Sequence, residues 1–329
     1  MKKTILTVFT VFCLAVLAMA QEPKDTFTPG GSASVKIFTD FRSTTTGGKT
    51  ASAFEITRAY FGYGYNFSKE FSGKITFDVG DPGVGGLQMT AYLKNASLQY
   101  SAKGFTANFG LISTTQFGVQ EDFWANRYVQ KTFQDMNGIN PSADLGLGLA
   151  YKFAKYVQVD VSFYNGEGYK KLQSDSAFQT ALGLTLTPVK GLIVRGSTDF
   201  MSKKSVTQSN TSAFVGYSAS KFSLAFEYNH QKNQKMVNSH DVSGPSVYGS
   251  FSPVKKVKIY ARYDKLSSNT LAGKTTAWNL SKDGSLIIAG LEYAPVKGVK
   301  LSPNFQGWNP ADSSKPNSSS LMLNCEIKF

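Results

Sequence analysis

Cysteine is nearly absent from this chain. Its 329 residues hold two, Cys13 and Cys325, and only two histidines, His230 and His240. Cys13 falls inside the N-terminal apolar segment described below, so the rest of the chain carries one thiol and has no internal disulfide to hold it. No Cys, His or carboxylate spacing resembles a metal site, and no cofactor is expected. Beyond residue 20 no stretch reaches the roughly 18 to 20 consecutive apolar residues of a membrane-spanning helix. Charge is scarce too: charged residues make up 17%, against about 25% in ordinary soluble domains.

What is present begins with an export signal. Lys2 and Lys3 precede an apolar core over 5–17, and Ala18-Met19-Ala20 supplies a small-residue cleavage site. Phe12 stands before Cys13 where a lipoprotein site needs small residues. The expected organisation is a signal peptide over 1–20, a short N-terminal segment over 21–31 and a strand-rich body over 32–329. Lysine and arginine number 35 against 22 acids, a formal net charge of +13. A basic exported chain attracts anionic solutes or lipid headgroups. The bases are spread over alternating runs and short turns, without a basic helix or aromatic recognition motif, so nucleic acid is not an expected partner.

A short motif sets the frame. It reads Phe67-Ser-Lys69-Glu-Phe71, Ser101-Ala-Lys103-Gly-Phe105, Phe153-Ala-Lys155-Tyr-Val157, Pro188-Val-Lys190-Gly-Leu192, Ser218-Ala-Ser-Lys221-Phe222, Pro253-Val-Lys255-Lys-Val257 and Pro295-Val-Lys297-Gly-Val299. Each joins two alternating runs through a few turn-forming residues, as hairpin connections do. Between these seven turns lie eight longer polar connections, at 43–52, 80–90, 112–143, 166–177, 201–210, 231–242, 267–283 and 307–317. Short turns alternating with long loops predict sixteen strands with both termini on the short-turn side. Bacterial transmembrane barrels share that asymmetry.

Side-chain parity tests the strands. Val257, Ile259, Ala261 and Tyr263 alternate with Lys258, Arg262 and Asp264, and Phe222, Leu224, Phe226 and Tyr228 with Ser223, Ala225, Glu227 and Asn229. A soluble sandwich with one wet face would show the same period. Three features favour lipid. Phe67, Phe71, Phe105, Phe153 and Phe222 sit near the short turns and Phe41, Phe163, Phe200, Tyr228, Tyr263 and Phe305 near the long loops, as two interfacial belts. Runs of about 8 to 10 residues match the span of a tilted strand. The last run places Leu321, Leu323, Cys325, Ile327 and Phe329 on one face and ends on an aromatic. The expected fold class is therefore all-β: a transmembrane antiparallel up-and-down β-barrel of sixteen strands.

Enzymatic readings find little support. Thr46-Gly-Gly-Lys49-Thr50 and Ala272-Gly-Lys274-Thr275 imitate the end of a phosphate-binding loop, but Ser43 and Ser268 replace its earlier glycine. His230 with a serine would need an oriented third group, and none is visible. The segment 112–143 breaks the alternation for longest. A loop of this length in a compact chain is usually functional, and its five aromatics, Phe117, Phe123, Trp124, Tyr128 and Phe133, suit a packed role in the barrel's mouth or lumen.

Several stretches carry a family likeness: Arg58-Ala-Tyr-Phe-Gly62, Lys74-Ile-Thr-Phe-Asp78, Tyr92-Leu-Lys-Asn-Ala96, Gln116-Phe-Gly-Val-Gln-Glu-Asp-Phe-Trp124, Arg127-Tyr, Lys131-Thr-Phe, Ala143-Asp-Leu-Gly146 and Asn165-Gly-Glu-Gly168. Together they resemble the phosphate-selective porin O and P family of Gram-negative outer membranes. That resemblance implies a homotrimeric porin in outer-membrane lipid, with the third long loop folded inward. It also implies a basic ladder along the lumen. By parity, however, ten luminal bases (Lys36, Arg42, Arg58, Lys74, Lys152, Arg195, Lys258, Arg262, Lys300, Lys328) face eight acids (Asp40, Asp78, Asp160, Asp199, Glu227, Asp264, Glu292, Glu326). Such balance gives only a mild anion preference. The expected constriction sets Glu121, Asp122, Arg127 and Lys131 of the loop against Arg58, Lys74, Arg195 and Arg262 of the wall, passing small anionic or polar solutes. A non-conducting barrel with a structural, adhesion or complex-forming role is the alternative.

Overall fold

A computed structural model describes residues 27–80, 86 and 89–329. The expected signal over 1–20 lies outside the described residues. Sixteen strands follow in order: β1 (Gly30–Thr46), β2 (Lys49–Asn66), β3 (Phe71–Gly80), β4 (Thr90–Ala102), β5 (Phe105–Ser113), β6 (Ala143–Ala154), β7 (Val157–Tyr164), β8 (Gln179–Leu186), β9 (Leu192–Lys203), β10 (Val206–Ser218), β11 (Phe222–Lys232), β12 (Val242–Val254), β13 (Val257–Ser268), β14 (Gly284–Tyr293), β15 (Val299–Pro310) and β16 (Ser318–Lys328). Every neighbouring pair is antiparallel, and β16 pairs with β1 to close the barrel. Closure leaves no unpaired sheet edge, which is what lets strands cross a layer that offers no hydrogen bonds. Val35 and the terminal Phe329 seal the seam with reciprocal backbone bonds of 2.7 and 3.1 Å.

The alternation in the sequence becomes the two faces of this wall. Phe71, Phe163, Phe200, Phe222, Tyr228, Tyr263 and Phe305 all stand exposed on the outside, with Leu321, Leu323 and Phe329 of the last strand. Asp40, Asp78, Asp160, Asp199, Glu227, Asp264 and Glu292 are buried inside it. The usual arrangement of a soluble protein is thus inverted, with apolar side chains out and carboxylates in. No helix among the described residues is long and apolar enough to cross a membrane.

All seven short turns occur where the recurring motif placed them. Two of the eight expected long loops do not. The connections at 43–52 and 201–210 contract to two-residue turns, because β1, β2, β9 and β10 keep pairing through their polar ends. Hydroxyl pairs such as Thr45 with Thr50 (2.8 Å) and Ser202 with Thr207 (2.9 Å) extend those hairpins. At the first tip Gly47 and Gly48 both take positive φ, 57° and 78°, the conformation that fits a two-residue hairpin to the strand twist. Polar composition had marked these residues as loop, whereas cross-strand hydroxyl bonding makes them strand.

The segment between β5 and β6 turns inward. It contains two short helices, α1 (Gly118–Trp124) and α2 (Phe133–Met136), and its Phe117, Trp124, Tyr128 and Phe133 are buried within the barrel.

Candidate functional site: the loop inside the barrel

The inward loop lies along one side of the lumen. Its seat is an apolar patch that faces the interior from β1, β10 and β12–β14: Phe38, Phe214, Tyr248, Tyr260, Leu286 and Ile288 cluster with Trp124, Tyr128 and Val129 of the loop. Phe123 meets Phe214 edge-on at 5.5 Å, and Trp124 sits between Tyr248 and Tyr260 at 5.4 and 5.8 Å. Phe133, fully buried, packs with Ile139, Val242 and Leu266. Burying one such side chain contributes about 1.5–3 kcal/mol. Gly216 makes room for one of these rings, since an added Cβ would come within 2.6 Å of Phe123, while at Gly244 it would collide first with the Lys265 carbonyl of β13 and then with Phe133 at 2.8 Å.

Polar contacts then fix the loop's height. Gln134 donates to Asn229 at 2.8 Å, Asn140 to Asp199 at 2.8 Å, and Gln231 to the Ile139 carbonyl at 2.9 Å. Asn324 donates to the Tyr128 carbonyl at 3.2 Å, and the Tyr128 hydroxyl to Glu292 at 2.9 Å. Burial pushes the Tyr128 phenol well above its usual range, with the Glu292 carboxylate adding to it, so the hydroxyl stays a donor.

Two of the expected wall residues belong to this seat. Arg195 pairs with Asp160 at 2.7 Å and donates to the Thr115 carbonyl at 2.9 Å, and Arg262 pairs with Asp264 and donates to the Lys131 carbonyl at 2.7 Å. Arg262 also lies over the Trp124 ring, 5.2 Å from its centre. Both guanidinium groups are buried beneath the loop, where a free passage does not reach them. Their bonds to backbone carbonyls make them anchors of the loop.

The remaining expected wall residues stand on β2 and β3, beside the Phe38 part of the seat. Arg58 there pairs with Asp78 at 2.6 Å and donates to the Tyr92 hydroxyl at 2.7 Å. Lys94 lies over Tyr60, 4.7 Å from the ring centre, and within 5.6 Å of Tyr169. Lys36 and Lys94 each repel Lys74, and among the described residues none of the three has a carboxylate within 4 Å, although Asp78 and Glu121 attract Lys94 from further off. Lys74 also lines a polar cavity of about 770 Å³ with Asn66, Asn95, Ser97, Gln99 and Asn108, on the short-turn side.

Facing this wall, Arg127 of the loop holds Glu121 at 3.1 Å and Asp135 at 2.8 Å, with Lys131 3.6 Å from Asp135. Burial works against the Arg127 charge, but Asp135, Tyr60 and Glu121 outweigh it and raise its pKa, while Arg58 opposes them. Burial lowers Lys131, and Arg127 and Arg58 push the same way against Asp135. Asp122 points away from this group into a cavity of about 530 Å³ shared with Trp124 and Lys258. Burial raises its carboxyl, and Lys36 opposes the shift. Of the eight residues expected at a constriction, the structure brings Glu121, Arg127, Lys131 and Arg58 together. Lys74 stands nearby, on the cavity toward the short turns. Among the described residues no group of three or more His, Cys, Asp or Glu could hold a metal ion.

Solved structures of the same shape come from outer membranes. The anion-selective porin of Comamonas acidovorans superposes with a TM-score of 0.67 at 8% identity, covering 92% of this chain and 100% of that one. The fold is that of the outer-membrane porins. The outer membrane channel DcaP of Acinetobacter baumannii has the same porin fold at TM-score 0.66 and 13% identity, over 93% of this chain and 99% of its own. A trimer form of OmpT, an outer membrane protein of Vibrio cholerae, reaches 0.63 at 14% identity over 91% and 100%. No protein-family model and no curated protein matches the chain.

Within this porin fold, Lys94 is the inward-facing cation that parity missed. The β3–β4 register shifts between Thr76 and Phe77, so that Asn95 pairs with Thr76, Leu93 with Phe77, and Lys94 is the extra residue of a β-bulge. A bulge breaks the two-residue count and re-aims a side chain. Its signal was present in the run Tyr92-Leu-Lys-Asn-Ala96, where two polar residues stand side by side.

Proposed function

We propose that the protein is an outer-membrane porin, a water-filled channel for passive diffusion of small hydrophilic solutes with a mild anion preference. The observation that carries this reading is the asymmetry of the lumen. Beneath the loop, β9 to β14 are packed, with Arg195 and Arg262 ion-paired and Asp199 and Glu227 held by amide donors, whereas among the described residues Lys36, Lys74 and Lys94 of β1 to β4 have no carboxylate within 4 Å and Lys74 lines a polar cavity. A loop pressed to one side narrows a pore and leaves it continuous, and a barrel this wide holds water where nothing fills it. The constriction then runs between Glu121, Arg127, Lys131 and Asp135 on the loop and Arg58, Tyr60 and Lys94 on the wall. Opposed rows of charge across a narrow passage orient dipolar solutes and filter them by size and sign.

The surplus on the open wall is positive, which favours anions, phosphate among them. Arg58, Arg127 and Lys131 are partly neutralised by their carboxylates, which keeps the preference mild. No covalent chemistry takes part. Three copies associate as a trimer in this reading, in line with the trimer form described for the Vibrio protein. Swelling of proteoliposomes in isotonic sugars tests the channel itself: small sugars enter quickly and large ones slowly. Folded protein that admits none of them would contradict it and favour a plugged, structural barrel.

A further inference from the structure

The pore reading uses none of the seven short turns, yet each carries an exposed lysine. Lys69 stands on the first, and Lys103, Lys155, Lys190, Lys221, Lys255 and Lys297 on the others. Glu70 is the one acid in these turns. None of those six lysines has a carboxylate within 4 Å among the described residues. Since successive hairpins follow one another round the closed barrel, the charges form a ring. Phe67, Phe71, Phe153 and Phe222 are exposed on the outer surface next to it. The long-loop rim differs, because Asp175, Asp241, Asp283 and Asp312 are interspersed there and Lys203 pairs with Asp175 at 2.6 Å.

We infer that this ring binds the anionic headgroups of the phospholipid leaflet on the short-turn side. The inference rests on the membrane reading above. A folded protein partner would meet one sector of the rim, but the ring has one lysine per hairpin around the whole circumference. A lipid leaflet is the partner that meets a barrel, or a trimer of barrels, along its whole outer perimeter. The aromatic belt beside the lysines sets their ammonium groups at headgroup depth, where a flexible stem lets each charge reach a phosphate while its methylenes lie on the belt. Attraction to an anionic surface falls off within a Debye length, so only charges at this depth contribute.

The test uses the folded protein in phosphatidylcholine vesicles containing a trace of spin-labelled phosphatidylglycerol or spin-labelled phosphatidylcholine. In the lipid immobilised on the barrel, the anionic probe should be enriched roughly five-fold over the neutral one at low salt, the effect of one headgroup–lysine contact. High salt should remove most of that enrichment, and so should the combined variant K103Q/K155Q/K190Q/K221Q/K255Q/K297Q. If that variant does not fold, the two half-ring variants, K103Q/K155Q/K190Q and K221Q/K255Q/K297Q, should each show a partial loss. Equal association of both probes with the wild type overturns the inference, as does enrichment unchanged in the variants. Binding of wild type but not variant to purified peptidoglycan, without any lipid preference, would assign the ring to the cell wall and overturn it too. Conductance of the same vesicles separates the two readings: a conducting barrel without headgroup preference sinks only this one.

Discussion

At the scale of the residue, similar cations do opposite work. Arg195 and Arg262 are buried against Asp160 and Asp264, and each donates one further bond to a loop carbonyl. Lys94 is held against the ring faces of Tyr60 and Tyr169. Removing one charge at Lys94 (K94Q) should lower the anion-to-cation permeability ratio by roughly two- to five-fold, the range for a unit charge at short distance in screened water; reversal potentials measure it. R195Q should leave that ratio nearly unchanged. It should instead destabilise the barrel by about 3 kcal/mol, because it strands a buried Asp160, which denaturant titration would read. Asp122 adds a pH dependence. Its raised carboxyl takes up a proton at a higher pH than an ordinary aspartate, so the vestibule loses a negative charge early as pH falls. Anion preference should therefore rise on acidification through the upper carboxylate range, and D122N should abolish that component; equal pH curves for both proteins would refute it.

At the scale of the element, the inward loop shows what could be read in the sequence and what could not. Its position between the fifth and sixth strands and its packed aromatics were legible, because a long break in strict alternation stands out. Its seat was not recognised, although a signal exists: Phe214 beside Val215, Tyr248 beside Val247, Tyr260 beside Ile259 and Ile288 beside Ile287 are apolar on both parities. One face of each such pair meets lipid, and the other needs something apolar inside, which is the loop. The bulge at Lys94 and the hairpins at 43–52 and 201–210 stayed hidden because register and ladder length are set by cross-strand bonds, which composition does not encode. Gly216 tests the seat. A side chain there meets the rings of Phe123 and Phe214, so G216V should cost about 1–3 kcal/mol of overpacking and loosen the loop. The expected result is a noisier and larger single-channel conductance, with wild-type conductance as the contrary outcome.

At the scale of the whole molecule, a closed sheet with aromatics outside and carboxylates inside is stable only where its outer face meets apolar surroundings and its inner face meets water or a satisfied polar network. The loop supplies that network on one side, and in the proposed channel water fills the other. Charge follows the same division, with the Arg195–Asp160 and Arg262–Asp264 pairs under the loop and, among the described residues, no carboxylate within 4 Å of Lys36, Lys74 or Lys94. The central claim is that the open wall conducts and that its lysines set the sign of what passes. The most direct measurement is the reversal potential of single channels under a KCl gradient, for the wild type and for K36Q/K74Q/K94Q. The wild type should conduct with mild anion preference, and the triple variant should conduct equally well with that preference lost or reversed. Cation selectivity in the wild type, or an anion preference untouched by removing all three lysines, would contradict it.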